Sequence, residues 1–493
     1  MSGNPYRPSA ARGFKEWFAP LAISAALWWL SSNDISFREG MLAALLLLIP
    51  WQAYCRWQRG GTTRLPLFSM IGIAYWAAFA MPLFLASPPT DPRTNKLFSE
   101  SIVFQVLVMT VLGVAALGAG MKTPFSPLNP ARMPDISDSN RAWRYLFCVL
   151  ALGTLLSTGS DATVYALGGG GRQLILQLAS IVPVTICAIL ATKQADGTAA
   201  RSQRYALAVF VAARAIIGIS SGWLGATIGV GVILGLVYIY RFRKLPMRTV
   251  LILIPIVLFL QTGKSAFREM YWTGKQTGGI VDKARFWMQA SWDQWSAVFG
   301  AKHQTGSYTG NSRSALFSES IDRLALLPQA ANVLARTPRD VPWQNGASYS
   351  FLIASLVPRA VWPDKPSVNE ANRFYQVAYG LTEKDNLDAV SISVGCLVES
   401  FMNFGWPGVI LIMFAIGVIL GFMERTLMGP ESGLLFFGVG LALTNGLLTV
   451  EAQAAQYLGG QLQQIALVFV VFLPVIRRRK RRPVAFIRPG DSL

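Results

Sequence analysis

Apolar residues in this chain gather into long runs separated by polar stretches. Twelve runs stand out, at about 17–31, 40–55, 66–87, 101–120, 143–158, 173–192, 204–219, 222–240, 249–262, 405–423, 433–450 and 461–476. A helix needs about 20 apolar residues to cross the hydrocarbon of a bilayer. The pattern therefore predicts an all-α polytopic membrane protein of about 12 transmembrane helices with one large extracytoplasmic loop. The second and ninth runs are short, and the seventh and eighth are divided only by GISSGWLG, Gly218 to Gly225. The interruptions sort the chain into four parts. Residues 1–262 form an N-terminal transmembrane bundle of about nine helices, and residues 263–392 form the long loop. Residues 393–476 form about three C-terminal transmembrane helices, and residues 477–493 a basic tail.

The long loop has a pattern of its own, and about 130 residues are too many for a plain connector. Ala284, Met288, Trp292, Trp295 and Phe299 recur at steps of three and four. This predicts an amphipathic helix with tryptophans suited to a membrane interface. A second helix is predicted from Ser318 to Arg336, with Ile321, Leu324 and Leu327 on one side. Simple packing onto the transmembrane bundle would produce either helix as well.

Composition agrees with the pattern. Of 493 residues, 53% are hydrophobic and only 14% charged, with a mean hydropathy of +0.41; a soluble domain carries about 25% charged residues. The net charge of +19 invites a nucleic-acid reading, but its distribution has another explanation. With the N-terminus in the cytoplasm, the cytoplasmic segments hold 25 of the 44 Lys and Arg residues. The short outer loops hold only Arg38, Arg93, Lys96 and Arg172, which is the bias of positive-inside topology. The long loop carries 14 basic and 11 acidic residues and falls outside that rule, which applies to short loops. Both termini are therefore expected in the cytoplasm and the long loop outside it. The first apolar run lacks a small-residue cleavage site and is expected to stay as an anchor. The tail IRRRKRRP suits anionic lipid just inside the last span.

Cysteine and histidine usage narrows the chemistry. Cys55, Cys148, Cys187 and Cys396 are scattered without a CxxC pair, and His303 is the one histidine. No metal or other cofactor is expected from such a set. The glycine run LGGGGR, Leu167 to Arg172, has no following GKS or GKT and reads as a flexible turn rather than a phosphate cradle.

Basic residues crowd the two membrane-proximal ends of the long loop. Lys264 and Arg268 lie where the chain leaves the ninth span, and Arg359 and Lys365 where it returns. Facing each other, they would suit an anionic group at headgroup depth, such as a phosphate or pyrophosphate. The returning stretch LVPRAVWPDKPS, Leu356 to Ser367, is stiffened by Pro358, Pro363 and Pro366, which fix backbone dihedrals and block helix continuation. They hold Arg359 and Lys365 in a rigid turn, with Trp362 as an interfacial anchor. A capped elbow that only stabilises the fold would look the same.

The elbow PRAVWPDKP is followed about thirty residues on by GCLVESFMNFGWPG, Gly395 to Gly408. Together they resemble the Wzy-type polysaccharide polymerases, also described as oligosaccharide repeat-unit or O-antigen polymerases. In that group a P-R…W-P-x-K-P elbow precedes a G-E-x-x-x-N-F-G-x-x-G segment leading into the next span. Pro358, Arg359, Trp362, Pro363, Lys365 and Pro366 fill the first pattern, and Glu399, Asn403, Phe404, Gly405 and Gly408 the second. Val398 stands where a glycine often precedes the glutamate. The likeness covers about 50 residues. It implies a glycosyltransferase-C-like architecture in the bacterial inner membrane with the large loop periplasmic. It also implies a metal-independent transfer in the outer leaflet, in which polymer on undecaprenyl diphosphate passes to the non-reducing end of a new lipid-linked repeat unit. The product would be O-antigen, capsule or exopolysaccharide. The implied partners are undecaprenyl-diphosphate-linked glycans and membrane lipid, with a chain-length regulator as a further candidate and no nucleic acid.

Such a transfer needs a base for the acceptor hydroxyl and cations for the departing diphosphate. Glu399, at the outer end of the tenth span, is the favoured base, because a carboxylate beside hydrocarbon is expensive and calls for a reason. Its bland alternative is a structural ion pair with an arginine. Asp364 in the elbow and His303 in the loop are the other candidates. Arg214, in VFVAARAIIGISSG near the outer end of the seventh span, either snorkels outward or faces inward toward lipid phosphate or Glu399. With Lys264, Arg268, Arg359 and Lys365 it makes up the diphosphate-binding set. Three rival functions stay open: an O-antigen ligase, a transporter or flippase for lipid-linked oligosaccharide, and a membrane thiol peptidase using Cys396 and His303.

Overall fold

A computed structural model of the protein describes residues 10–477, apart from 32, 61–63, 126–132, 158–167, 223–224, 272–277, 301–320, 323, 358–360, 363, 385–386 and 388–391. Inside a bilayer the backbone has no water to bond with, so apolar segments close their hydrogen bonds internally as helices. Each of the twelve apolar runs falls on one. The N-terminal part contains α1 (Ala10–Leu30), α2 (Phe37–Gln58), α3 (Leu67–Phe79), α4 (Met81–Leu85), α5 (Glu100–Met121) and α6 (Asn140–Leu156). It continues with α7 (Gly168–Ala195), α8 (Arg201–Ser221), α9 (Gly225–Phe242) and α10 (Met247–Thr262). The long loop holds α11 (Lys264–Tyr271), α12 (Ile280–Gly300), α13 (Leu327–Arg336), α14 (Ser350–Leu356) and α15 (Glu370–Ala378). The chain then forms α16 (Gly395–Leu427), α17 (Gly433–Leu447) and α18 (Gly460–Phe472).

Among the described residues, six stretches are long and apolar enough to cross a membrane: Leu67–Leu85, Glu100–Met121, Ile175–Ala195, Arg201–Ser221, Gly395–Leu427 and Ala455–Val475. The bent pair α10 and α11 makes a seventh if it counts as one span. The remaining apolar runs form helices that fall short in length or hydropathy. The chain is thus an all-α protein with the helices of a membrane protein, and among the described residues fewer of them combine the length and hydropathy of a span than the runs alone predict.

Helix α5 lies along α16, and the two run parallel. Gly113 meets Val409 and Met413, Leu117 meets Gly417, Gly120 meets Phe414 and Val418, and Met121 meets Gly421. A Cβ at Gly120 would collide with the Phe414 carbonyl, and one at Gly417 with that of Leu117. Small residues at this seam, including the G-x-x-x-G step Gly417–Gly421, let the backbones touch. At the Arg425 end, the guanidinium donates to the carbonyls of Met121 and Phe125. Beside it, β1 (Asp135–Ile136) pairs antiparallel with β2 (Ile476–Arg477). There the Asp135 carboxylate accepts the first free N–H groups of α17, from Leu434 at 3.1 Å and Leu435 at 3.0 Å.

Helix α16 is broken at Gly405, whose φ of 62° and ψ of −151° interrupt the helix. The left-handed φ suits a glycine, and Trp343 packs against the space where a side chain would stand. The predicted span 405–423 therefore begins at the break, and Gly395–Phe404 is a separate leading segment.

In the loop, α12 forms as predicted, but a different stripe faces the protein. Trp287 and Ser291 are buried, while Met288 and Trp292 are exposed. Trp287 donates to the Leu260 carbonyl at 2.8 Å and packs against Phe267 with ring centroids 4.9 Å apart. Of the second loop helix, the predicted start at Ser318 lies outside the described residues, Ile321 and Asp322 are helical, and α13 runs from Leu327 to Arg336 with Pro328 in its first turn, where it is tolerated. Leu324, between the two helical stretches, is exposed. The end of α13 is locked down by Arg336, which reaches Asp91 at 2.5 Å and Asn332 at 2.7 Å.

Candidate functional site

The leading segment of α16 places Cys396, Glu399, Ser400 and Asn403 on one helical face, since residues three and four apart are neighbours. Two other pieces of chain cover that face. One is the short turn Ala347–Tyr349 before α14, and the other is the link between α17 and α18. The break at Gly405 explains why the first piece docks here. A helix end leaves carbonyls without partners, and Pro407 has no N–H to offer Asn403. The Met402 carbonyl instead accepts from Gln344 N–H at 3.1 Å, and that of Asn403 from Asn345 N–H at 3.2 Å.

The second piece is held at three steps. Ser393 Oγ donates to the Glu451 carbonyl, Cys396 Sγ to that of Ala452 at 3.2 Å, and Ala454 N–H to Glu399 Oε2 at 2.7 Å. Between them Gln453 is buried, and neither its amide oxygen nor its amide nitrogen has a hydrogen-bond partner among the described residues. A single π-turn, Ala455–Gly459, follows directly; such turns recur at functional sites.

At the centre Glu399 is 0% exposed. Its Oε1 accepts from Ser348 Oγ at 2.6 Å. Asn403 Nδ2 donates to Ser348 Oγ and to the Glu399 carbonyl, both at 2.8 Å. Asn403 Oδ1 accepts from Gly346 N–H at 2.9 Å, which fixes the orientation of the amide. Among the described residues Glu399 makes no ion pair. The arrangement holds a proton acceptor in place with neutral donors and connects it to a hydroxyl.

The structure brings together Glu399, Asn403 and Gly405. It adds Ser348 and the Ala454 N–H, which the sequence does not single out: Ser348 sits in the plain stretch NGASYS, and a backbone N–H has no residue signature. Lys365 turns inward and is buried, donating to the carbonyls of Ala354 at 3.2 Å and Val357 at 2.6 Å. It thus serves the C-terminus of α14, where a cation is favoured. Trp362, Asp364 and Pro366 are exposed. Arg359, Pro363 and His303 lie outside the described residues.

Arg214 is 7% exposed and belongs to the inward stripe of α8, with Gln203, Phe210 and Gly218. It does not snorkel into lipid. Cys187 on α7 is the titratable group it meets, and its side chain has no ion pair or hydrogen bond among the described residues, its Nε being buried. Arg214 and Glu399 do not pair. Lys264 and Arg268 lie one turn apart on α11, which packs on α10 and α12, whereas Lys365 packs on α14.

No curated protein and no solved structure matches the chain. A family model described as Domain of unknown function (DUF8712) matches residues 96–429, which span α5 to the end of α16 and include Ser348, Glu399 and Asn403. With more than half of its length matched, the chain belongs to this family.

Proposed function

We propose that the protein polymerises undecaprenyl-diphosphate-linked oligosaccharide repeat units into a surface polysaccharide at the outer leaflet of the bacterial inner membrane. It would act as a metal-independent membrane glycosyltransferase with both termini in the cytoplasm. One observation carries the reading: Glu399, Asn403 and Gly405, which resemble the polymerase pattern, build a single buried polar knot around a carboxylate that no cation among the described residues neutralises. An ionised group in such a place is costly, and a role in accepting a proton accounts for it.

The knot lies at the end of α16 opposite Arg425, up to roughly 40 Å away at 1.5 Å per residue. Arg64, Arg425 and Arg477 gather at that other end, which by the positive-inside bias faces the cytoplasm. Glu399 then belongs at the outer face, where lipid-linked glycans present their sugars. In this reading Glu399 is the final proton acceptor. Arg214, Lys264, Arg268 and Arg359 hold diphosphate, and Lys365 fastens the elbow to α14.

Purified protein in nanodiscs, given lipid-linked oligosaccharide without nucleotide sugar or metal, should produce a ladder of longer chains. Arg359→Ala should abolish long chains while the protein inserts normally. Wild-type protein that leaves only single repeats overturns the reading. The break at Gly405 favours a second reading, a lipid-linked-oligosaccharide transporter, because transporters use discontinuous helices. A transporter would move the substrate across liposomes and leave its length unchanged.

A further inference from the structure

We infer that Ser348, not Glu399 itself, meets the acceptor hydroxyl and relays its proton to the carboxylate; this rests on the polymerase reading above. Glu399 has no exposed surface, with Ser348 against one oxygen and the Ala454 N–H against the other. A sugar hydroxyl cannot reach it without displacing one of them. A serine hydroxyl has one hydrogen and two acceptor lone pairs. The Ser348 hydrogen goes to Glu399, and one lone pair takes the Asn403 N–H. Because Gly346 N–H holds Asn403 Oδ1, the amide cannot turn to accept from Ser348. The serine hydrogen therefore stays on Glu399, and the second lone pair has no donor among the described residues. That lone pair is the place for a substrate O–H. Ser348 is itself buried, and the exposed edge nearest to it is Phe404, stacked on Tyr349 and packed near Gly346, from which a substrate hydroxyl would approach.

The step balances. The acceptor oxygen bonds to the anomeric carbon of the donor glycan as the bond from that carbon to the diphosphate oxygen breaks, its electron pair leaving with the diphosphate. The acceptor proton passes to Ser348 Oγ while the serine proton passes to Glu399 Oε1. The serine is regenerated, and the carboxyl later returns its proton to water.

The test measures elongation of a lipid-linked oligosaccharide in nanodiscs by the wild type, S348A, S348C, S348T, E399Q and the double variant S348A/E399Q. The relay predicts that S348A lowers kcat by about 10²–10⁴-fold, the usual share of general acid–base catalysis, with little change in KM. S348T should restore most of it. The double variant should be no slower than the slower single variant, because groups acting as one unit are non-additive. S348C carries the same test if S348A fails to insert: a thiol fills the space but is a weak donor and acceptor, so kcat should still fall. An active wild type with S348A or S348C at the wild-type kcat overturns the relay alone, as do multiplicative losses. An inactive wild type overturns the polymerase reading itself.

Discussion

Ser348 Oγ lies 2.6 Å from Glu399 Oε1, joining residues 51 positions apart in the chain. The contact ties the long loop to the leading segment of α16, so loop and helix are one unit at this point. Gln344 and Asn345 bond to the carbonyls that the break at Gly405 releases, which places the serine on a rigid support. The site depends as much on the break as on the carboxylate.

Replacing Glu399 should separate chemistry from stability. Glu399→Ala leaves Ser348 Oγ and the Ala454 N–H buried without an acceptor, at about 1–3 kcal/mol for each group. Glu399→Gln keeps the shape and one acceptor. Thermal unfolding in detergent should show a large loss for the alanine variant and a small one for the glutamine variant, with long polymer absent in both. A glutamine variant with a normal polymer ladder would remove Glu399 from the chemistry.

The α5–α16 seam makes a prediction about packing. Gly120→Val drives a side chain into the Phe414 carbonyl, and overpacking costs about 1–3 kcal/mol or more. Gly235 on α9 has open space around the equivalent position. Gly235→Ala should therefore be neutral or gain about 0.5–1 kcal/mol from helix propensity. Equal thermal midpoints for the two variants would show that the helices do not touch at Gly120.

Much of this was legible in the sequence, and what was not has physical reasons. Apolar runs mark helices because a buried or lipid-facing helix is apolar along its length, so all twelve runs fall on helices. Which of them can cross a bilayer depends on length and on hydropathy: α6 and α10 stop short at 17 and 16 residues, whereas α2 is long enough at 22 residues but not apolar enough. The four-residue step from Glu399 to Asn403 is visible in one segment. Ser348 and Ala454 are not, because they arrive from 51 and 55 residues away. On α12 the spacing identifies a helix but not its inward side: lipid or an interface accepts Met288 and Trp292 as readily as protein would. For Lys365 the sequence supplies a charge, while the nearby end of α14 decides where it points.

Acid should loosen the lock between the loop and the start of α5. Burial works against the Asp91 carboxylate, but the Arg93 backbone N–H and the Arg336 guanidinium outweigh it, so its pKa lies below the ordinary carboxylate value. A depressed native pKa means that the unfolded state takes up the proton first. The stabilisation is complete above the unfolded value of about 3.9 and is lost as pH falls below it through the native value. Asp91→Asn should cost about 2 kcal/mol at pH 7, the worth of a hydrogen bond to a charged group. The gap to wild type should close as the pH falls toward 2. A gap that stays constant from pH 7 to pH 2 would mean that Asp91 contributes no charge.

Arg214 yields the prediction that runs against ordinary expectation. Removing a buried side chain usually destabilises, because contacts are lost. Arg214 instead holds a buried charge with no ion pair and no hydrogen bond among the described residues, on a stripe that faces the helices and not lipid. A charge within an apolar helix costs up to about 2.5–3.5 kcal/mol on insertion scales, the value at the helix centre. Arg214→Met keeps most of the packing volume and removes that cost, so the thermal midpoint should hold or rise. If the charge is retained to hold diphosphate, the same variant should bind lipid-linked substrate more weakly, with the loss appearing in KM. Stability given up for function is the expected signature of a ligand site. A variant that unfolds at lower temperature and elongates normally would show instead that Arg214 is part of the scaffold.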